Sequence, residues 1–216
     1  RALQADPGCL LAHWGIAYCV GPTYNRPWET FEPDDKAEAS ARAHAALKPA
    51  LAGSGKLLPV ERALIAALDV RYPTAADAED FGPHHDAFAD AMRSVHATFP
   101  EDLDVCCLFA EALMNRTPWQ LWELPSGQPA PGADTLEAKS VLDGAFERLV
   151  GAWQHPGLLH MYIHLMEMSP HPEVALRHGD VLHTLVPDAG HLIHMATHID
   201  VLCGDYQNVV ARNHQA

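Results

Sequence analysis

Apolar residues along this chain come in helix-length runs, and proline, glycine or an acid punctuates nearly every junction between them. Residues 1–8 read as a helix tail and a turn, and the run 9–21 (CLLAHWGIAYCVG) ends at Gly21-Pro22. Residues 33–52 and 59–72 each open on proline, which suits a first helical position because no N–H is required there. Helical patterning continues over 83–98, closed by Pro100, over 101–116 with acids in its first turn, and over 134–151, 155–167, 171–186 and 190–200. Gly204-Asp205 then turns the chain into a closing helix. No alternating stretch long enough for a useful β-strand is present, so the expected fold class is all-α. The long junction 117–132 (TPWQLWELPSGQPAPG) carries two tryptophans and four prolines, and loops of this length often cover a binding site.

The core of the first run, His13-Trp14-Gly15-Ile16-Ala17-Tyr18, resembles the aromatic-Gly-x-Ala-Tyr phrasing of tetratricopeptide repeats. The spacing between Leu185-Val186-Pro187-Asp188 and Gly204-Asp205-Tyr206 fits a helix-turn-helix rhythm of about 34 residues. Three longer phrases, PEDLDVCCLFAEALMNRTPWQLWE, HPGLLHMYIHLMEMSP and PDAGHLIHMATHIDVLCGDY, resemble a histidine-rich group of bacterial and fungal tetratricopeptide-repeat proteins. That resemblance implies a right-handed α-solenoid of antiparallel helix pairs, with residues 1–216 forming one helical-repeat domain and a piece of a longer array. It implies no particular reaction.

Composition narrows the classes of partner. With 216 residues, 48% of them hydrophobic, the chain can bury a sizeable core. A formal charge of −14, with no basic run, excludes a nucleic-acid backbone or an anionic membrane surface as the main partner. No stretch of about 18 uncharged apolar residues is present, so no membrane span is expected. Cys9, Cys19, Cys106, Cys107 and Cys203 form no CxxC pair, which is the usage of a reduced, cytoplasmic protein.

The chemistry concentrates near the end of the chain. His155, His160, His164, His171, His178, His183, His191, His194 and His198 make up nine of the fifteen histidines. At about 100° of rotation per residue, His160, His164 and Glu167 share one narrow helical stripe, and His191, His194 and His198 share another. Leu158, Leu159, Met161, Ile163, Leu192, Ile193 and Met195 surround these stripes, so both helices are expected to be buried with their imidazoles pointing inward. Neutral imidazoles beside a carboxylate are well matched to a metal ion. His160, His164, His194 and His198 are the expected ligands, each pair at i, i+4; the His-Met-Tyr-Ile-His phrase lacks the glutamate of an HExxH metalloprotease. His191 and His155 stand at helix starts, where each is a ligand, a cap or an entrance group.

Glu167 and Glu111 are the candidate catalytic carboxylates. Glu111 sits among Leu108, Phe109, Ala110 and Leu113, where it either ligates metal, orients a ligand histidine or pairs with Arg116 or Arg148. Trp119, Trp122 and Tyr24 are candidate walls of a substrate pocket, although a packing role accounts for each equally well; His13 could reach the same cavity, but a core histidine is the favoured reading. His171, His178 and His183, on an amphipathic helix, and His84 and His85, at a helix start, read as surface residues.

No thiolate accompanies the cluster, which favours iron or copper over zinc. The sequence therefore points to a metal-dependent enzyme, an oxidoreductase or oxygenase acting on a small organic molecule. Two readings compete with it: a hydrolytic metal site, and a non-enzymatic helical-repeat scaffold that binds a protein partner on its surface.

Overall fold

A computed structural model describes residues 1–72 and 80–216. The fold is all-α, and the chain divides into two compact units, Arg1–Pro100 and Glu101–Ala216. The first unit contains α1 (Ala2–Ala5), α2 (Leu10–Val20), α3 (Pro33–Gly53), α4 (Pro59–Asp69) and α5 (Gly82–Thr98). The second contains α6 (Leu103–Met114), α7 (Thr135–Arg148), α8 (Pro156–Met166), α9 (Leu176–Leu185), α10 (Gly190–Leu202) and α11 (Tyr206–Gln215). No helix among the described residues is long and apolar enough to cross a membrane.

The first unit is built on α3 packed against α2 and α4, with an aromatic core. Trp28 lies between Phe31 and Phe81, at ring-centroid distances of 4.8 and 4.5 Å. The helix expected to reach residue 72 ends at Asp69. Pro73 in the sequence disfavours helical backbone at the residue before it. Arg71 and Tyr72 instead turn back on the helix-2 end, donating hydrogen bonds to the carbonyls of Pro22 and Ala17. Tyr24 is 1% exposed in this core, and His13 is half-buried on α2.

In the second unit α6 packs on α7 and α8, while α10 packs on α8, α9 and α11. Side-chain caps set the starts: Asp102 accepts from the Val105 N–H at 3.0 Å, and Asp205 from that of Asn208 at 3.1 Å. α8 has buried side chains all round, with Leu158, Leu159, Ile163 and Leu165 at 0% exposure. Each such side chain contributes about 1.5–3 kcal/mol on burial, enough together to carry the few polar groups that α8 takes inside with it. Gly179 of α9 lets α10 approach closely; a Cβ there would lie 3.2 Å from the Ala196 Cα.

Three expectations need correction. The 117–132 junction is not structureless, since β1 (Trp122–Glu123) and β2 (Gln128–Pro129) pair antiparallel, Trp122 opposite Pro129. The 171–186 helix begins as a 3₁₀ turn, Pro172–Ala175, before α9. His85 and His178 are buried, at 7% and 6% exposure, not surface residues. His178 stacks on Tyr162 at 3.9 Å and on Trp153 at 4.8 Å. An aromatic wall replaces solvent on its helix face.

Burial pushes both of these imidazoles down to about 4. An unfolded histidine titrates near 6.5, so between those values the unfolded chain takes up a proton that the folded one refuses. Their contribution to stability is therefore complete above about pH 6.5 and lost towards pH 4, at up to about 1.4 kcal/mol per pH unit for each group. His178→Phe should make the fall in urea-unfolding stability between pH 7 and pH 5 shallower than in wild type; an equal fall contradicts this assignment. Gly179→Val should cost about 1–3 kcal/mol by forcing α9 off α10, and an unchanged unfolding midpoint would refute the close contact.

Candidate metal centre

α8 and α10 bring five imidazoles and one carboxylate together. Successive ring centroids form a closed circuit: His191 to His160 at 5.2 Å, His160 to His164 at 4.7 Å, and His164 to His198 at 5.8 Å. His198 to His194, at 4.9 Å, and His194 to His191, at 6.5 Å, complete it. Two sets offer ligand atoms all within 4.8 Å of one another: His160, His164 and His191, and His164, Glu167 and His198. The i, i+4 spacing supplies the two pairs, and the packing of α10 on α8 joins them.

The stripe was expected to point wholly inward, and here the structure differs. His164 and Glu167 are buried at 1% and 8% exposure, whereas His160, His194 and His198 are half-buried and His191 is exposed. α10 lies over α8 only from one side, so the cluster runs from the interior to the surface. At the His191 end the cluster is open to solvent.

Glu167 sets the orientation of two rings. Its Oε1 accepts from the Nδ1–H of His164 at 2.8 Å, and its Oε2 accepts from the Nδ1–H of His198. Burial raises the pKa of this carboxyl, but the hydrogen bonds from His164 and His198 outweigh burial and hold it below the usual carboxylate value. Glu167 is therefore an anion facing two N–H donors. With Nδ1 protonated, Nε2 carries the lone pair that could bind a metal ion on both imidazoles.

His194 is held by the same logic. Asn213 of α11 donates its Nδ2–H to the Val209 carbonyl at 3.0 Å, which fixes the amide orientation and leaves Oδ1, at 2.7 Å, to accept from His194 Nδ1–H. The Nε2 atoms of His194 and His198, both bearing lone pairs, then face each other at 3.0 Å. With both rings neutral, two lone pairs at that distance repel and a cation between them relieves the repulsion; a protonated ring instead donates across the same gap. Ligands cis to one another at about 2.1 Å from an ion stand about 3.0–3.4 Å apart, so this pair matches the spacing that a metal ion requires. His160 and His191 also approach Nε2 to Nε2 at 3.2 Å, a distance that suits an N–H···N hydrogen bond as well as two ligands on one ion. Burial, reinforced by the neighbouring imidazoles, pushes His160 down to about 3 and also lowers His191, which keeps both neutral at physiological pH. Neutral imidazole is the form that binds metal.

The other candidates fall in different places. His155 is a cap: its Nδ1 accepts from the Leu158 N–H at 3.1 Å, and its Nε2 lies 3.0 Å from Asp104. Glu111 belongs to neither ligand set. Burial pushes its carboxyl up to about 7, against the weak stabilising contact from Asn115 at 3.5 Å, while Arg116 pairs with Asp134. Trp119 is the one non-glycine residue with positive φ among the described residues, at 62°. Holding a bulky side chain there costs about 1–3 kcal/mol, and strain of this size collects at functional sites. Its ring stands edge-on to His164 at 5.8 Å and is 38% exposed. Trp122 donates its indole N–H to the Leu165 carbonyl at 2.6 Å, pinning the tryptophan loop to α8. His13 and Tyr24 belong to the first unit. Asn213 escaped sequence reasoning because a lone asparagine on a closing helix has no spacing to mark it.

No protein-family model, curated protein or solved structure matches the chain.

Glu167→Gln keeps the size of the side chain but leaves one oxygen for two N–H donors. It should weaken metal binding about 10–100-fold, measured by competition against a chromophoric chelator with helicity unchanged. Unaltered affinity would show that Glu167 does not orient the ligands.

Proposed function

We propose that the second unit carries a histidine-ligated transition-metal centre that oxidises a small organic molecule, with dioxygen as the oxidant, on a tetratricopeptide-like helical-repeat scaffold. The observation that carries this reading is the His194–His198 pair, whose Nε2 atoms face each other at 3.0 Å while Asn213 and Glu167 hold the opposite nitrogens. His160, His164, His191, His194 and His198 supply the ligands. Glu167 is a positioning residue behind them.

The choice of metal follows from that placement. The familiar non-haem iron arrangement uses two histidines and a carboxylate as direct ligands. Here the carboxylate is engaged by two Nδ1–H groups, so the inner set is imidazole alone, which suits copper ahead of iron and both ahead of zinc. A bound copper or iron ion supplies one-electron chemistry towards dioxygen, which zinc does not.

The remaining residues have tasks that need no metal to describe. Trp119, edge-on to His164 and partly exposed, offers an apolar face to an organic substrate. Glu111, with its pKa raised to about 7, can take up or release a proton at neutral pH. Five cysteines outside any disulfide suit a reducing, cytoplasmic setting. The net charge of −14 is consistent with a small-molecule substrate or a protein partner, in preference to nucleic acid.

Metal analysis of untagged protein by inductively coupled plasma mass spectrometry tests the reading. Copper or iron should be retained at near-stoichiometric level, and the His160→Ala/His194→Ala double variant should lose it while keeping its far-ultraviolet circular dichroism. Zinc in place of a redox metal would move the reaction to hydrolysis. Protein that binds none of the three metals would leave a scaffold for protein partners.

A further inference from the structure

We infer that the five imidazoles hold two metal ions, in a three-histidine subsite (His160, His164, His191) and a two-histidine subsite (His194, His198). The inference rests on the metal-centre reading above and concerns how many ions that centre takes.

The spacing of the rings divides the circuit. Two imidazoles bound cis to one ion place their centroids about 4.5–5.2 Å apart, and two on opposite sides place them about 6.4 Å apart. Three sides of the circuit, 5.2, 4.7 and 4.9 Å, have the cis spacing, and they join His191 to His160 to His164, and His198 to His194. The other two sides are wider. His164 and His198 stand 5.8 Å apart, and His191 and His194, at 6.5 Å, stand at the full span of opposite ligands on one ion.

The hydrogen bonds divide the residues in the same way. There are two separate Nε2-to-Nε2 contacts, His160 with His191 at 3.2 Å and His194 with His198 at 3.0 Å, and each has the spacing of two ligands on one ion. Glu167 lies behind both subsites, with Oε1 on His164 of the first and Oε2 on His198 of the second. One carboxylate thus orients a ligand in each. The three-histidine subsite is close to complete, whereas the two-histidine subsite leaves several coordination positions for water or substrate.

The test is the copper stoichiometry of the full chain, untagged, loaded with Cu(II) and dialysed against glycine to strip loosely held copper. Wild type should hold two copper ions per chain. His191→Ala and His194→Ala, chosen because each removes an exposed or half-buried ligand, should each hold one, with circular dichroism and melting temperature close to wild type; His191→Gln and His194→Gln repeat the test with bulkier replacements. One copper in wild type, lost equally in either variant, would overturn the two-ion inference and leave a mononuclear centre standing. No copper in wild type would overturn the metal-centre reading itself.

Discussion

The site depends on one buried anion serving two donors. Glu167 closes α8 with both oxygens taken by imidazole Nδ1–H groups, one from its own helix and one from α10. A carboxylate at 8% exposure is costly without such partners, and with them it imposes a tautomer on each ring. The Nε2 of His198 then faces that of His194, whose own Nδ1 is held by Asn213.

The architecture around Glu167 explains how the arrangement is maintained. α8 is apolar around its circumference, so its register is fixed by packing and its two histidines cannot rotate away. α10 is held against it through α9, where Gly179 admits Ala196, and through α11, whose Asn213 reaches back to His194. Arg212 of α11 pairs with Asp200 of α10 at 3.3 Å and also with Asp180 of α9, which ties the last three helices to one another. The tryptophan loop is fixed to α8 by Trp122, and it carries Trp119, in a strained backbone conformation, to the edge of His164.

Much of this was legible in the sequence. Pro33 and Pro59 at first helical positions, the acids in the first turn of 101–116 and the turn at Gly204-Asp205 marked helices to within a few residues. The i, i+4 pairs were readable as neighbours because helical periodicity alone puts both rings on one side. What could not be read was anything set by the meeting of two helices. His178 looked solvated because its own helix is amphipathic, and only Tyr162 and Trp153 across the interface bury it. Glu167 was placed on the right stripe, but its role behind the ligands depends on His198, 31 residues later. The graded exposure of the cluster, from His164 to His191, reflects one-sided cover by α10 that no single helix encodes.

Nitrogen-15 NMR of the imidazoles in the metal-free protein tests this account most directly, because it reads the tautomers that Glu167 and Asn213 are held to impose. His164, His194 and His198 are predicted to carry the proton on Nδ1 and a bare, pyridine-like Nε2, the reverse of the form that free histidine prefers. Finding the proton on Nε2 of all three would mean that the lone pairs do not face one another, and the case for a metal at this site would lose its foundation.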